Sequence, residues 1–447
     1  MKKITFLFTI CIVMQISIYA QGCLPNGIFI DSQLEIDNFQ SNYPNCTEIE
    51  GSLTINGDDI TNLNGLSNIT AIGGWVIIAS SPYLTSLSGL ESLTSIGNFL
   101  SITDTSLIDI QALSSLTSVN GHIYISNTLI ESLEGLNSLT TVNGSLTIRK
   151  NHSLSTLEGL EGLTTLPEDL NISHNNSLMS LIGINALTSV GMDLLITNNP
   201  LLPNLEGLEQ ITSVGGWLSI IQNHLFVNLD ELQSLTTVGD KLWILQNNGL
   251  ENFDGLNNLT SIGGDVEIRL NNKLTDISAL SSLTSIGGVL NIEDNFWLTT
   301  LDGLDNIDPA SIGAIEILNN NFLATCEVQS ICDYIGSPGA IIDIDNNSWN
   351  CDSKEAVELA CQIVNYPELD FSNYYLIYPN PVDNKLHIRT HNNSVINSII
   401  IYNQFGQNVF NIQPNLETID VSHLNPGLYI IEINNNIGRF RDKLIVQ

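Results

Sequence analysis

The 447 residues carry 13 basic and 47 acidic side chains, a formal net charge of −34, and 43% of them are apolar. A chain this acidic repels phosphate backbones and anionic membranes, which excludes nucleic-acid binding, while its apolar content is ample for large cores. The imbalance is local: residues 21 to 371 hold six basic against 42 acidic side chains, whereas residues 372 to 447 hold five of each.

The N-terminus reads Lys2 and Lys3, an apolar run from Ile4 to Ile18, then Tyr19, Ala20 and Gln21. That is the layout of a secretory signal peptide over residues 1–20, cut after Ala20. The run is shorter than the roughly 18 residues a spanning helix needs, and no later stretch approaches that length, so no transmembrane segment is expected in the mature chain. Cys23 lies two residues past the cut, but Gln21 stands where a lipoprotein signal wants a small or branched residue. Six cysteines remain, Cys23, Cys46, Cys326, Cys332, Cys351 and Cys361, an even set for an oxidising compartment. None falls between Cys46 and Cys326, which suggests staples at the two ends of a self-supporting array.

Residues 51–325 are that array. Segments such as SLEGLNSLTTVNGSLTI and NLEGLEQITSVGGWLSI align on one unit, L-x-G-L-x-x-L-T-x-I-x-G-x-L-x-I-x-x-N-x-x-L, repeated eleven times at spacings of 23 or 24 residues from Leu63 to Leu301. In each unit a period-two segment, such as Leu146 to Arg149, predicts a strand with Leu and Ile facing inward. The other apolar positions recur through Gly- and Thr-rich sequence and predict extended turns, with a second short strand at L-T-x-I. The glycine two places before the first buried strand residue is expected to permit the turn into the strand. The Asn three residues after the strand, at Asn151, Asn175, Asn199, Asn223, Asn247, Asn271 and Asn295, predicts a ladder of side-chain amides satisfying backbone groups at an inward corner. With GSLTIN at residues 51–56 and AIIDID at 340–345, twelve or thirteen rungs are expected, a rod about 55–60 Å long.

On these motifs the unit resembles bacterial leucine-rich repeats and the receptor L-domain class of solenoids over residues 47–350. The fold class expected is mainly β: a leucine-rich-repeat, L-domain-like solenoid with disulfide-bonded caps. The caps are residues 21–50, where Cys23 and Cys46 are expected to pair, and 326–371. The second cap reads as two short helices, the latter with Asp352 and Glu355 in a capping-box relation, and counting along the rungs pairs Cys326 with Cys351 and Cys332 with Cys361.

From residue 372 the period gives way to short strands with turn signals, predicting a small antiparallel β-sandwich over 372–447. Tyr378, Pro379, Asn380 and Pro381, then Gly406 in IYNQFGQ, then Pro426, Gly427 and Tyr429, and Lys443 near the end resemble, in that order, the type IX secretion sorting domain of type A. The resemblance implies export across both membranes of a Bacteroidota cell, with the type IX machinery as partner and the outer surface or medium as destination.

Candidate sites follow from the strand alignment. The outward residues include Trp75, Ile77, Phe99, His122 and Tyr124 in one stretch, Trp217, Ile221, Lys241, Trp243 and Leu245 in another, and then Asp265, Glu267 and Arg269. Trp75, Phe99, Tyr124, Trp217 and Trp243 therefore form the expected ligand-binding face, since exposed aromatics serve a protein or glycan partner through burial and stacking. Cross-strand packing alone also favours aromatics there. Asp343, Asp345, Asn346 and Asn347 lack the glycine and distant Glu of a calcium loop, and His152, His174 and His224 sit at the Asn corner as surface residues, so no metal is expected. No nucleophile elbow, zinc helix, phosphate loop or reactive thiol is present, so neither catalysis nor a cofactor is expected. The reading is a secreted or surface-displayed binding or adhesion protein; a structural spacer and a surface hydrolase with an unrecognised site are the alternatives.

Overall fold

A computed structural model describes residues 22–364, 375–390, 396–403, 407–412, 418–435 and 439–447. The expected signal peptide, Gly406 and the linker residues 365–371 lie outside these, wholly or in large part. The chain divides into two compact units between Val357 and Glu358.

The first unit is a parallel β-solenoid. One strand per unit joins a fourteen-stranded sheet that begins at Ile28–Ile30 and Leu53–Ile55 and ends at Ala314–Leu318 and Ile342–Asp345. Neighbouring strands pair parallel with no slippage, so that Val76, Leu100, Ile123, Leu146 and Leu170 form one column and Ile78, Ile102, Ile125, Ile148 and Ile172 the next. Every member of both columns is at most 1% exposed. Burial on this scale stabilises each rung by about 1.5–3 kcal/mol per side chain, and only a stacked neighbour supplies it. The fourteenth rung, absent from the sequence count, is Ile28–Ile30 in the N-terminal cap. Thirteen strand spacings lengthen the rod to about 62 Å.

The L-T-x-I segments form two-residue strands, from Glu48–Ile49 to Ser285–Ile286, which together with Gly22–Cys23 of the cap make two six-stranded parallel sheets. The L-x-G-L segments take two backbone forms, and residue type alone does not decide between them, since Gly65 sits in a short 3₁₀ turn (Asn64–Leu66). Gly89, Gly135, Gly159, Gly183, Gly207, Gly255 and Gly303 adopt φ between +104 and +120°, a region closed to a side chain. A Cβ on Gly159 would also lie 2.0 Å from the Leu133 carbonyl oxygen of the preceding unit. Where Ala112, Glu231 or Ala279 stands instead, the segment winds into a short 3₁₀ turn (Gln111–Leu113, Asp230–Leu232, Ser278–Ser282). The demanding glycine is this one. The glycine before the strand has no positive φ, and Asn98, Met192 and Asp240 fill its place elsewhere; what crowds it is the preceding rung, as a Cβ on Gly144 would lie 2.8 Å from the His122 backbone nitrogen.

Both ends are capped. Helix α1 (Gln33–Asn42) buries Ile36 and Phe39, and Cys23 is bonded to Cys46 with Cα atoms 5.6 Å apart. Cys326 is bonded to Cys351 across 5.8 Å between Cα atoms, and Cys332 and Cys361 are also in disulfide linkage. Helix α2 is Gln329–Ile335 and α3 is Lys354–Val364. The α3 cap is Ser353, whose Oγ accepts the Ala356 N–H at 3.3 Å. Asp352 lies one residue too early for the capping box expected of it.

The second unit contains two antiparallel sheets. Tyr375–Tyr378, Lys385–Thr390 and Thr418–Asp420 form one, and Asn408–Ile412, Ile396–Tyr402, Gly427–Asn435 and Arg439–Val446 the other. Ile377, Leu386 and Ile388 from the first and Ile401, Ile431 and Phe440 from the second share one buried core, which makes the pair a sandwich.

Candidate functional site

The outward side of the fourteen-stranded sheet is fixed by the corner that follows each strand. From Ser80 to Asn346, twelve residues just past the strands adopt φ between +47 and +59°. These include Lys150 and Leu270, types for which the left-handed region costs about 1–2 kcal/mol. The turn brings the next residue inside. There Asn151 donates its backbone N–H to Asn175 Oδ1 at 3.0 Å, and the same bond repeats through Asn199, Asn223, Asn247, Asn271, Asn295 and Asn320 to Asn347 at 2.9–3.1 Å. Each Nδ2 donates to an Ile carbonyl of the rung before, as Asn223 does to Ile196 at 2.8 Å. Nine asparagines take part, Asn320 and Asn347 extending the seven read from the sequence. Asn347, weighed above as part of a cation loop, is the ladder's last member and also donates to the Cys351 carbonyl at 3.0 Å.

With the corner set, residues either side of the buried columns face outward. Trp75 and Phe99 hold equivalent places on consecutive rungs, their carbonyls accepting the Leu53 and Val76 N–H groups at 2.8 and 2.9 Å. Their rings stack at 5.8 Å with planes 10° apart. Tyr124 lies in register with Ser101 and Thr147, two residues along the strand from the Trp75 and Phe99 place, and is half-buried.

Five rungs after Phe99, Trp217 and Trp243 meet edge to face at 6.3 Å and 79°. Trp217 is 38% exposed, and its indole N–H donates to Asp240 Oδ2 at 2.9 Å. Lys241 Nζ lies 4.6 Å from the Trp243 ring centre and 5.8 Å from that of Trp217, and pairs with Glu267 at 2.5 Å. Arg269 pairs with Glu293 at 2.6 Å. The cations of this stretch are thus neutralised locally, and the aromatic rings supply its contact surface.

A further aromatic cluster escaped the sequence reading. Phe296, Trp297 and Phe322 follow the Asn corner, with ring centres 4.7–5.2 Å apart and exposures of 42, 49 and 44%. Aligning the second residue after each ladder Asn places Trp297, Phe322 and Trp349 in one column, which was the available signal. Of the corner histidines, His174 carries a perturbed titration: burial foremost, then Arg149, Lys150 and His152, hold it below its ordinary value. Among the described residues no group of three or more His, Cys, Asp or Glu side chains is placed to hold a metal ion. No described helix is long and apolar enough to cross a membrane.

In the C-terminal unit, the Tyr378 to Pro381 segment and the chain end are brought together. Asn380 Nδ2 donates to the Lys443 carbonyl at 2.6 Å, and Asn380 Oδ1 accepts the Ile445 N–H at 2.8 Å. Val382 N–H donates to the Ile445 carbonyl and Gln447 N–H to that of Val382, at 2.8 and 2.9 Å. Tyr378 stacks on His387 at 5.4 Å. Tyr429 is buried with its hydroxyl donating to the Asn425 carbonyl at 2.8 Å; Pro426 and Gly427 lead into its strand. Residues 60 or more apart in sequence thus form one end of the domain.

Residues 376–447 match the secretion system C-terminal sorting domain, and residues 45–114 match the receptor L domain. No curated protein matches the chain. The first match assigns the sandwich to the domains that direct type IX export to the cell surface or extracellular space, and the second agrees with the solenoid.

Proposed function

We propose that this protein is a non-enzymatic binding or adhesion protein, exported by the type IX machinery through residues 376–447, which holds a protein or glycan ligand on the strand face of its solenoid. A signal peptide over residues 1–20 starts that route. The observation that carries the reading is the pair of aromatic clusters on one side of a rigid sheet, Trp75 with Phe99 in equivalent places and Trp217 with Trp243 on neighbouring rungs two places apart along the strand. A surface spacer gains nothing from indole rings left 38–41% exposed, whereas a ligand buries them. The test is capture of host-surface and extracellular polymer fractions by wild type and by Trp217→Ala/Trp243→Ala protein. Loss of capture in the variant supports the face; equal capture by both proteins contradicts it.

A further inference from the structure

Buried polar atoms in folded proteins are nearly always paired, so those left without a partner mark either strain or an absent ligand. Eight such side-chain atoms occur among the described residues. Six belong to outward-facing strand positions of the one sheet: Arg149 Nε, Asn171 Oδ1, Ser219 Oγ, Trp243 Nε1, Arg269 Nε and Asn291 Oδ1. Asn171, Ser219, Trp243 and Asn291 even share a single column, as the register from Asn171 through Leu195, Ser219, Trp243 and Glu267 to Asn291 shows. Ser219 is only 1% exposed and Asn291 only 8%. Trp217, two residues before the column's Ser219, has its indole N–H satisfied by Asp240. The deficit belongs to the column and not to tryptophan in general.

We infer, building on the binding-face reading above, that the ligand is a neutral polysaccharide lying across the rungs, parallel to the solenoid axis, from the Trp75–Phe99 cluster over the Trp217–Trp243 cluster to Asn291. Three observations select that chemistry. The unpartnered set mixes donors (Arg149, Trp243, Arg269) with acceptors (Asn171, Asn291), and a sugar hydroxyl is the group that both donates and accepts. The aromatic clusters lie five strand spacings apart, about 24 Å, which a chain of several sugar rings spans while stacking at both ends. The six basic and 42 acidic side chains of residues 21–371 disfavour an anionic polymer. Ser219 is flanked in its column by Leu195 and Trp243, so a ligand reaches its hydroxyl as the Trp243 ring shifts, and binding is read in tryptophan emission.

The probes are the hexasaccharides of β-1,3-glucan, β-1,4-glucan, β-1,4-mannan and β-1,4-xylan, with oligogalacturonate as the anionic comparison. They are titrated into the full chain by tryptophan fluorescence and calorimetry. At least one neutral hexasaccharide binds and oligogalacturonate does not; Trp217→Ala/Trp243→Ala weakens binding about tenfold or more, and Asn171→Leu, with an unchanged circular dichroism spectrum, weakens it by about two- to tenfold. Failure of all four neutral sugars to bind, or equal affinity in both variants, overturns the glycan assignment. If the double variant then still loses capture of a protein partner, the face survives and its ligand is a polypeptide. If no capture of any kind responds to the double variant, the face falls as well.

Discussion

Replacing Asn223 by Ala tests the physical basis of the solenoid corner. Asn223 is fully buried. Its Oδ1 accepts the Asn199 N–H at 3.1 Å, and its Nδ2 donates to the carbonyls of Ile196 and Ile221 at 2.8 and 3.1 Å. Alanine keeps the backbone bond from Asn223 N–H to Asn247 Oδ1 but leaves the Asn199 N–H in a dry corner with no acceptor. One stranded donor plus the lost amide contacts costs about 2–4 kcal/mol. Because a repeat array unfolds by neighbouring units and not all at once, a single melting midpoint understates such a loss. Hydrogen exchange resolves it: the Asn199 amide is expected to exchange more than about tenfold faster, with strand Leu218–Ile221 partly deprotected and Leu100–Thr103 unchanged. The control is Asn272→Ala, an exposed amide that donates to Asn248 Oδ1 at 2.8 Å, which should cost within about 0.5 kcal/mol. Unaltered protection at Asn199, or equal losses in the two variants, refutes the ladder as the support of the corner.

Serine at both Cys326 and Cys351 reopens a loop of sequence separation 25 and should cost about 3 kcal/mol locally, seen as faster exchange in Ala314–Leu318 and Ile342–Asp345 while Leu146–Arg149 is unaffected. His174 has a folded pKa depressed from 6.5, so the unfolded chain binds the proton more readily; stability present above 6.5 is lost as pH falls through and below that value. His174→Asn, which tolerates the same left-handed backbone, should flatten this dependence in denaturation midpoints measured between pH 7.5 and 5, and an unchanged slope would count against it. Asn380→Ala removes both bonds to the terminal strand and should cost about 1–2 kcal/mol, with the Ile445 amide exchanging faster and carboxypeptidase trimming the chain end sooner; wild-type rates would show that the clamp is not needed.

Much of the solenoid was legible because its chemistry recurs. A period of two at Leu146 and Ile148 places the core, and the repeated Asn places the corner. Legibility failed where the repeat stretches or stops. Asn320 and Asn347 follow spacings of 25 and 27 residues, and Ile28–Ile30 stands alone in a cap. The split of L-x-G-L segments between positive-φ glycine and 3₁₀ turn was available at Ala112, Glu231 and Ala279 but not at Gly65, a glycine that takes the 3₁₀ turn, and only backbone angles show it. For the candidate site, the alignment placed Trp75, Phe99, Tyr124, Trp217 and Trp243 on outward positions. It could not show that Trp217 finds a hydrogen-bond acceptor and Trp243 does not, nor that Lys241 sits over both rings, since those depend on side-chain rotamers on neighbouring rungs. In the sorting domain, motif order identified Asn380 and Lys443, while the bond between them depends on the fold returning its last strand to the first.

The most direct test of the account is fractionation of the native host with and without residues 376–447, followed by antibodies against the solenoid. The account predicts that the intact protein reaches the cell surface or medium, and that the truncated protein accumulates in the periplasm with its solenoid folded. Export of the truncated protein at wild-type levels would contradict the assignment of the C-terminal sandwich as the export signal, and with it the placing of the strand face among extracellular ligands.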